Sequence, residues 1–151
     1  MEDAIIHVPE VRVCRQNSMN MLRQVVQMTG RECDLIIFSY SVTDGWLRQL
    51  LKLKTDFDVA KTILVLDRDV MVRHREKITQ IERIADECYL TDSHAKLYFA
   101  RGKQRTIAVI TSANATQNYR NECYYATDRP DEIRNIESDI RTILSASVRI
   151  V

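Results

Sequence analysis

An α/β fold, a mixed β-sheet flanked by helices, is predicted for this chain of 151 residues by three observations. Two short continuous apolar runs, Leu35-Ile36-Ile37-Phe38 and Lys61-Thr62-Ile63-Leu64-Val65-Leu66, have the composition of strands buried on both faces. A stretch of helical periodicity separates them, and strand, helix, strand in succession implies a right-handed crossover between parallel neighbours. After Glu87 the apolar segments follow each other too closely for crossovers, which adds antiparallel pairs to the sheet.

The elements can be justified in chain order. Asn17-Ser18, then Leu22, Val25 and Val26, then Thr29-Gly30 predict a capped amphipathic helix that stops at a glycine. After the first strand, Thr43 or Asp44 can cap a second helix with Trp46, Leu47, Leu50 and Leu51 on one face. The second strand leads to a charged helix over residues 70 to 86, with Ile78, Ile81 and Ile84 or Ala85 inward. Cys88 to Leu90, His94 to Ala100, Arg105 to Thr111 and Glu122 to Ala126 read as strands. The closing helix runs from 131 to 145, with Ile133, Ile136, Ile140, Ile143 and Leu144 on its apolar face.

At 45% hydrophobic residues the chain can fill one core, and three glycines and two prolines leave little material for a linker, so a single domain over 1–151 is expected. No apolar run is long enough to cross a bilayer. The acidic start MEDAIIHVPE lacks a signal-type apolar region, and a cytoplasmic location is expected. Cys14, Cys33, Cys88 and Cys123 show no metal-ligand spacing and read as buried, reduced thiols in or beside strands. Asp67 and Asp69, between a strand and a helix, have the spacing of turn and N-cap residues rather than of a metal pair. A net charge of +1 neither requires nor excludes a nucleic-acid partner.

The chemistry concentrates between His94 and Glu122. His94-Ala95-Lys96 opens one strand, and Thr111-Ser112-Ala113-Asn114 closes the next. A turn at Arg101-Gly102-Lys103-Gln104 sets His94 opposite Thr111, with Ser112 and Asn114 just beyond the same end. His94 and Lys96, two apart in a strand, share a face. A histidine, a fixed cation, a hydroxyl and an amide thus converge where a phosphate can sit. Two basic clusters, Arg73 to Lys77 and Arg101 to Arg105, have the pattern of solvated faces. Tyr119 and Arg120, just before Asn121-Glu122, are better placed to bind substrate.

HxK, a return strand, TSAN and a following Asn121-Glu122 resemble the phospholipase D superfamily, most specifically over His94 to Glu122. Arg101 stands where that family carries an aspartate, and Thr111 where it carries a glycine. Arg101 falls in the turn, about 23 Å of strand from His94, and is expected to play no part in the chemistry. The resemblance implies a phospholipase D-like fold with one HxK motif per chain. It further implies a homodimer that brings two copies of His94 to a twofold axis. One His94 would attack phosphorus to give a phosphohistidine, and the other would protonate the leaving oxygen. Lys96 and Asn114 would hold the non-bridging oxygens, Ser112 would add a hydrogen bond, and Glu122 would fix the imidazole tautomer. No metal or other cofactor is called for. Length and the missing membrane anchor favour DNA or RNA as substrate, cut by a metal-independent endonuclease. The rivals are a non-catalytic nucleic-acid-binding or assembly module, and a phosphodiesterase on another ester such as a phospholipid.

Overall fold

A computed structural model describes residues 5–151. Met1 to Ala4, the most acidic part of the start considered above, lie outside the described residues, so the expected 1–151 domain is seen only from residue 5. The elements, in chain order, are β1 (Glu10–Gln16), α1 (Ser18–Thr29), β2 (Asp34–Ser39), α2 (Asp44–Asp56), β3 (Lys61–Asp67), α3 (Arg68–Arg73), α4 (Lys77–Ile84), β4 (Glu87–Thr91), β5 (Leu97–Arg101), β6 (Thr106–Thr111), β7 (Arg120–Thr127), α5 (Pro130–Ser145) and β8 (Val148–Arg149). They form one eight-stranded open sheet in the order β1-β7-β6-β5-β2-β3-β4-β8, flanked by helices. This is the mixed α/β class expected, consistent with a phospholipase D-like fold.

β2, β3 and β4 are parallel neighbours, and every other pairing is antiparallel. The apolar runs explain the centre. In β2, Leu35 and Ile37 enter the larger core with α1 and α2, while Ile36 and Phe38 turn to the opposite face and meet α5. β3 divides in the same way, with Leu64 and Leu66 on one side and Val65 on the other. Alternation of side chains across a pleated strand requires this once both faces are covered.

Local capping fixes the helices. Asn17 Oδ1 accepts from the N–H groups of Met19 at 3.0 Å and Asn20 at 3.2 Å, and Gly30 ends α1 at φ 105°. That conformation is one L side chains rarely adopt. Thr43 caps α2 and Asp67 caps α3, the latter through Asp69 N–H at 2.9 Å and Val70 N–H at 3.3 Å, as its N-cap spacing suggested.

Several expectations need correction. The charged helix over 70 to 86 is two helices, α3 and α4, broken at His74-Arg75-Glu76, where His74 N–H bonds Met71 O. In α2, Leu51 is exposed and Leu53 takes the buried place. β5 starts at Leu97, so His94 and Lys96 lie in the extended segment ahead of the strand. The hairpin turns one residue later than expected, over Gly102 to Arg105, where Gly102 N–H bonds Arg105 O at 2.9 Å. Leu97 therefore pairs with Ile110, a shift of two positions from the expected register of His94 with Thr111. Of the cysteines, Cys33 and Cys88 are buried, but Cys14 is half-buried and Cys123 exposed. Cys123 stands on β7 opposite the outward-facing Val13, beyond the cover of α5, whereas Cys14 on edge strand β1 faces the other way and packs only in part against the larger core. Val11 and Val13 of β1 and Ile110 of β6 are exposed, as Cys123 is.

Candidate active site

The site lies at the carboxyl ends of parallel strands β2 and β3, beside the point where antiparallel β5 begins. In open α/β sheets this is where side chains and loops enclose ligands. Phe38 near the end of β2 pairs with Leu97 at the start of β5. The segment before Leu97 and the segment after Ser39 are thereby brought side by side.

His94 is exposed, and its ring stacks on Tyr40 with centroids 4.3 Å apart and planes 14° from parallel. Neither ring nitrogen has a hydrogen-bond partner among the described residues. Lys96 Nζ donates to His94 O at 2.9 Å, and Lys96 O accepts from Thr111 N–H at 3.0 Å, which carries the β5–β6 ladder one step beyond the strand. An ammonium has three hydrogens, so two of Lys96 remain for a ligand.

The polar end of β6 is held from both sides. Thr111 Oγ1 donates to Cys123 O at 2.9 Å and accepts from Ala113 N–H at 3.1 Å. Ser112 hydroxyl donates to Glu122 Oε2 and accepts from Cys123 N–H at 3.1 Å. Asn114 Oδ1 accepts from Tyr40 N–H at 3.2 Å. Its NH2 group, with two donors, has no partner among the described residues. Ser39 hydroxyl donates to Ser41 O at 2.5 Å and accepts from Ala115 N–H at 2.8 Å, so residues 39 to 41 tie the end of β2 to the TSAN segment.

These residues line two adjoining cavities. His94, Lys96 and Thr111 form one end of a largely apolar groove of about 300 Å³, closed on the far side by Ile136 and Ile140 of α5. Ser112, Asn114, Arg120 and Glu122 line a polar cleft of about 500 Å³ together with Ser41 and Asn118. Thr111 and Ser112 are the hinge between the two.

The expected constellation is therefore only partly assembled within one chain. His94 and Lys96 share the groove with Ala95 between them, in an extended segment rather than by strand alternation, and Ser112, Asn114 and Glu122 share the cleft. Two expected roles change. Glu122 is engaged by Ser112 and does not contact the imidazole, and the hydrogen that Ser112 was to offer a phosphate goes to that carboxylate. Arg120 lines the cleft. Tyr119 is anchored at the cleft edge, where its hydroxyl accepts from Asn20 Nδ2 at 2.7 Å and its ring lies 5.9 Å from the Arg15 guanidinium.

Charge separates the two ends of the hairpin. At the turn, Arg101 pairs with Glu137 at 3.0 Å, Lys103 with Glu32 at 3.0 Å and Arg105 with Asp128 at 3.1 Å. Arg101, in the aspartate position of the HxK pattern, is thus tied to α5 at the opposite end of β5. At the site end, Lys96, Arg15 and Arg120 form no ion pair among the described residues. Tyr40 and Arg15 escaped the sequence reading. Tyr40 lies 54 residues ahead of His94, and only the β2–β5 pairing brings the two together. Arg15 was within reach, since the alternation of Val11, Arg12, Val13 and Cys14 is a strand signal.

No family model matches the sequence, and no curated protein does. Among solved structures, the chain is similar to TrmBL2, described as an archaeal chromatin protein with a novel mode of DNA binding. That match has a TM-score of 0.57 and 15% identity, over 95% of this chain and 54% of that one. It is also similar to polyphosphate kinase from Porphyromonas gingivalis, with a TM-score of 0.54 and 14% identity, over 85% of this chain and 21% of that one. The chain thus spans about half of the first protein and about a fifth of the second. At these identities, what is shared is the fold: the same sheet and helix arrangement carries this chain's own set of polar residues.

Proposed function

We propose that the protein is a metal-independent phosphodiesterase of the phospholipase D type, an endonuclease acting on DNA or RNA at a site completed by a second copy of the chain. The observation that carries this reading is the His94 imidazole. It is exposed, held by its face, and open at both nitrogens, beside the Lys96 ammonium and a cleft of amide and guanidinium donors.

In this reading one ring nitrogen of neutral His94 attacks phosphorus. A P–N bond forms, the P–O bond to the leaving group breaks, and the departing oxygen takes a proton from the His94 imidazolium of the second copy. Water then adds to the phosphohistidine, the P–N bond breaks, and the second imidazole recovers its proton. Lys96 and the free NH2 group of Asn114 offset charge on the non-bridging oxygens. Arg120, and Arg15 through Tyr119, take the flanking phosphates. Each chain supplies one HxK motif, so the second imidazole requires a homodimer.

A second reading has one observation in its favour. Glu122 is bound to Ser112, and the imidazole has no carboxylate partner among the described residues, an arrangement suited to holding nucleic acid without cutting it. The likeness to a protein described as binding DNA fits either reading.

The deciding experiment is cleavage of labelled single- and double-stranded DNA and RNA in EDTA, by wild type and His94→Ala. Cutting by wild type alone supports the nuclease. Salt-sensitive binding without cutting moves the assignment to the non-catalytic module, and cleavage of a phospholipid ester instead moves it to a different substrate.

A further inference from the structure

The aromatic stack at His94 suggests a function for a residue outside the HxK and TSAN segments. We infer that Tyr40 is the positioning residue for the His94 imidazole, in the place where a carboxylate was expected. The inference rests on the phosphodiesterase reading above.

A histidine that must attack phosphorus needs its ring plane fixed and at least one nitrogen lone pair free. A carboxylate hydrogen-bonded to one nitrogen does this at the expense of that nitrogen. A stacked ring does it through the face and leaves both nitrogens, which lie at the edge, open. That is the arrangement found: Tyr40 lies nearly parallel to the imidazole at 4.3 Å, and the carboxylate of Glu122 is occupied by Ser112. Offset aromatic stacking at this separation is attractive, and an imidazolium over the phenol face gains further electrostatic attraction.

Tyr40 is itself well held. It follows directly on β2, a central strand of the sheet, and its backbone N–H donates to Asn114 Oδ1 at 3.2 Å. The neighbouring Ser39 hydroxyl accepts from Ala115 N–H at 2.8 Å. One residue therefore contacts both halves of the candidate site, the imidazole through its ring and the Asn114 amide through its backbone. Accepting that N–H orients the Asn114 amide and leaves its NH2 end free. A side chain that loosened Tyr40 would disturb His94 and Asn114 together.

The test compares Tyr40→Phe and Tyr40→Leu with wild type. Histidine ring resonances in NMR report the stack without reference to activity. The His94 ring protons are expected to be displaced by the aromatic ring current in wild type and Tyr40→Phe, and to lose that displacement in Tyr40→Leu. In cleavage assays Tyr40→Phe should retain kcat, and Tyr40→Leu should lose about tenfold to a hundredfold in kcat with KM within about twofold, since a misoriented nucleophile costs rate and not binding. A Tyr40→Leu protein that loses the ring-current displacement and keeps its kcat overturns the inference. So does a Tyr40→Phe protein as slow as Tyr40→Leu, which would transfer the role to the hydroxyl. If wild type cleaves nothing, the phosphodiesterase reading fails separately, and the ring-current comparison alone tests the positioning role: a His94 displacement retained in Tyr40→Leu would overturn it.

Discussion

At the scale of single residues, the arrangement around His94 and Glu122 makes opposite predictions for two substitutions in neighbouring cavities. His94→Ala removes an exposed ring whose one described contact is the stack on Tyr40, so cleavage should be abolished while the melting temperature stays close to wild type. Glu122→Gln keeps an acceptor for Ser112 and removes a negative charge from a cleft proposed to hold phosphate. It should tighten nonspecific oligonucleotide binding by about twofold to fivefold, the scale of one exposed charge contact, as measured by fluorescence anisotropy. Unchanged or weaker binding would place the nucleic acid elsewhere. His94, Lys96, Ser112, Asn114 and Glu122 were all legible in the sequence as candidates because their residue types and spacing carry the pattern. Which of them touch was not, because Glu122 has acceptors for either an imidazole or a hydroxyl, and only the β1–β7–β6 registers decide between them.

Among the elements, the caps and glycines give the sharpest expectations. Asn17→Ala deletes the acceptor for two N–H groups at the start of α1 and should cost about 1 kcal/mol in chemical denaturation. At the hairpin turn, a Cβ on Gly102 would come 2.8 Å from both Arg105 O and Thr29 O. Neither backbone oxygen can move freely, so Gly102→Ala should destabilise by about 1 to 3 kcal/mol, and a wild-type stability would refute that packing. The elements whose ends carry such signals were the ones readable in advance: α1 from Asn17 and Gly30, α2 from Thr43, and the central strands β2 and β3 from runs buried on both faces. Three failures have physical causes. Residues 73 to 77, Arg-His-Arg-Glu-Lys, hold no glycine or proline, so nothing local marks the break between α3 and α4. β1 alternates, but its Val11 and Val13 face outward, the reverse of the usual sense. The hairpin register slipped because a turn placed one residue early moves every cross-strand partner by two.

For the whole molecule, the distribution of charge and of buried titratable groups sets the expected behaviour. Cations at the hairpin turn are paired with carboxylates, whereas Lys96, Arg15 and Arg120 at the site end have no such partners among the described residues. Replacing Arg15 and Arg120 by alanine should therefore lower the salt dependence of nucleic-acid binding by about one to two released counterions, while Arg105→Ala leaves it unchanged. Burial pushes the Cys33 thiol up to about 11 and the Cys88 thiol up to about 12, from an ordinary value of 9.0. In the unfolded chain both thiols ionise first, so their contribution to stability is complete below pH 9 and is lost as pH rises toward 12. Denaturant midpoints measured across that window should fall with rising pH, and replacing both cysteines by alanine should flatten the decline.

The most direct test of the central claim is to quench a single turnover of labelled oligonucleotide in alkali, in the presence of EDTA, and separate protein from nucleic acid under denaturing conditions. The account predicts label covalently bound to wild type through His94, transient on the time scale of cleavage, and absent from His94→Ala. Cleavage at the wild-type rate by His94→Ala, or cleavage by wild type with no protein-bound label at any time, would contradict it.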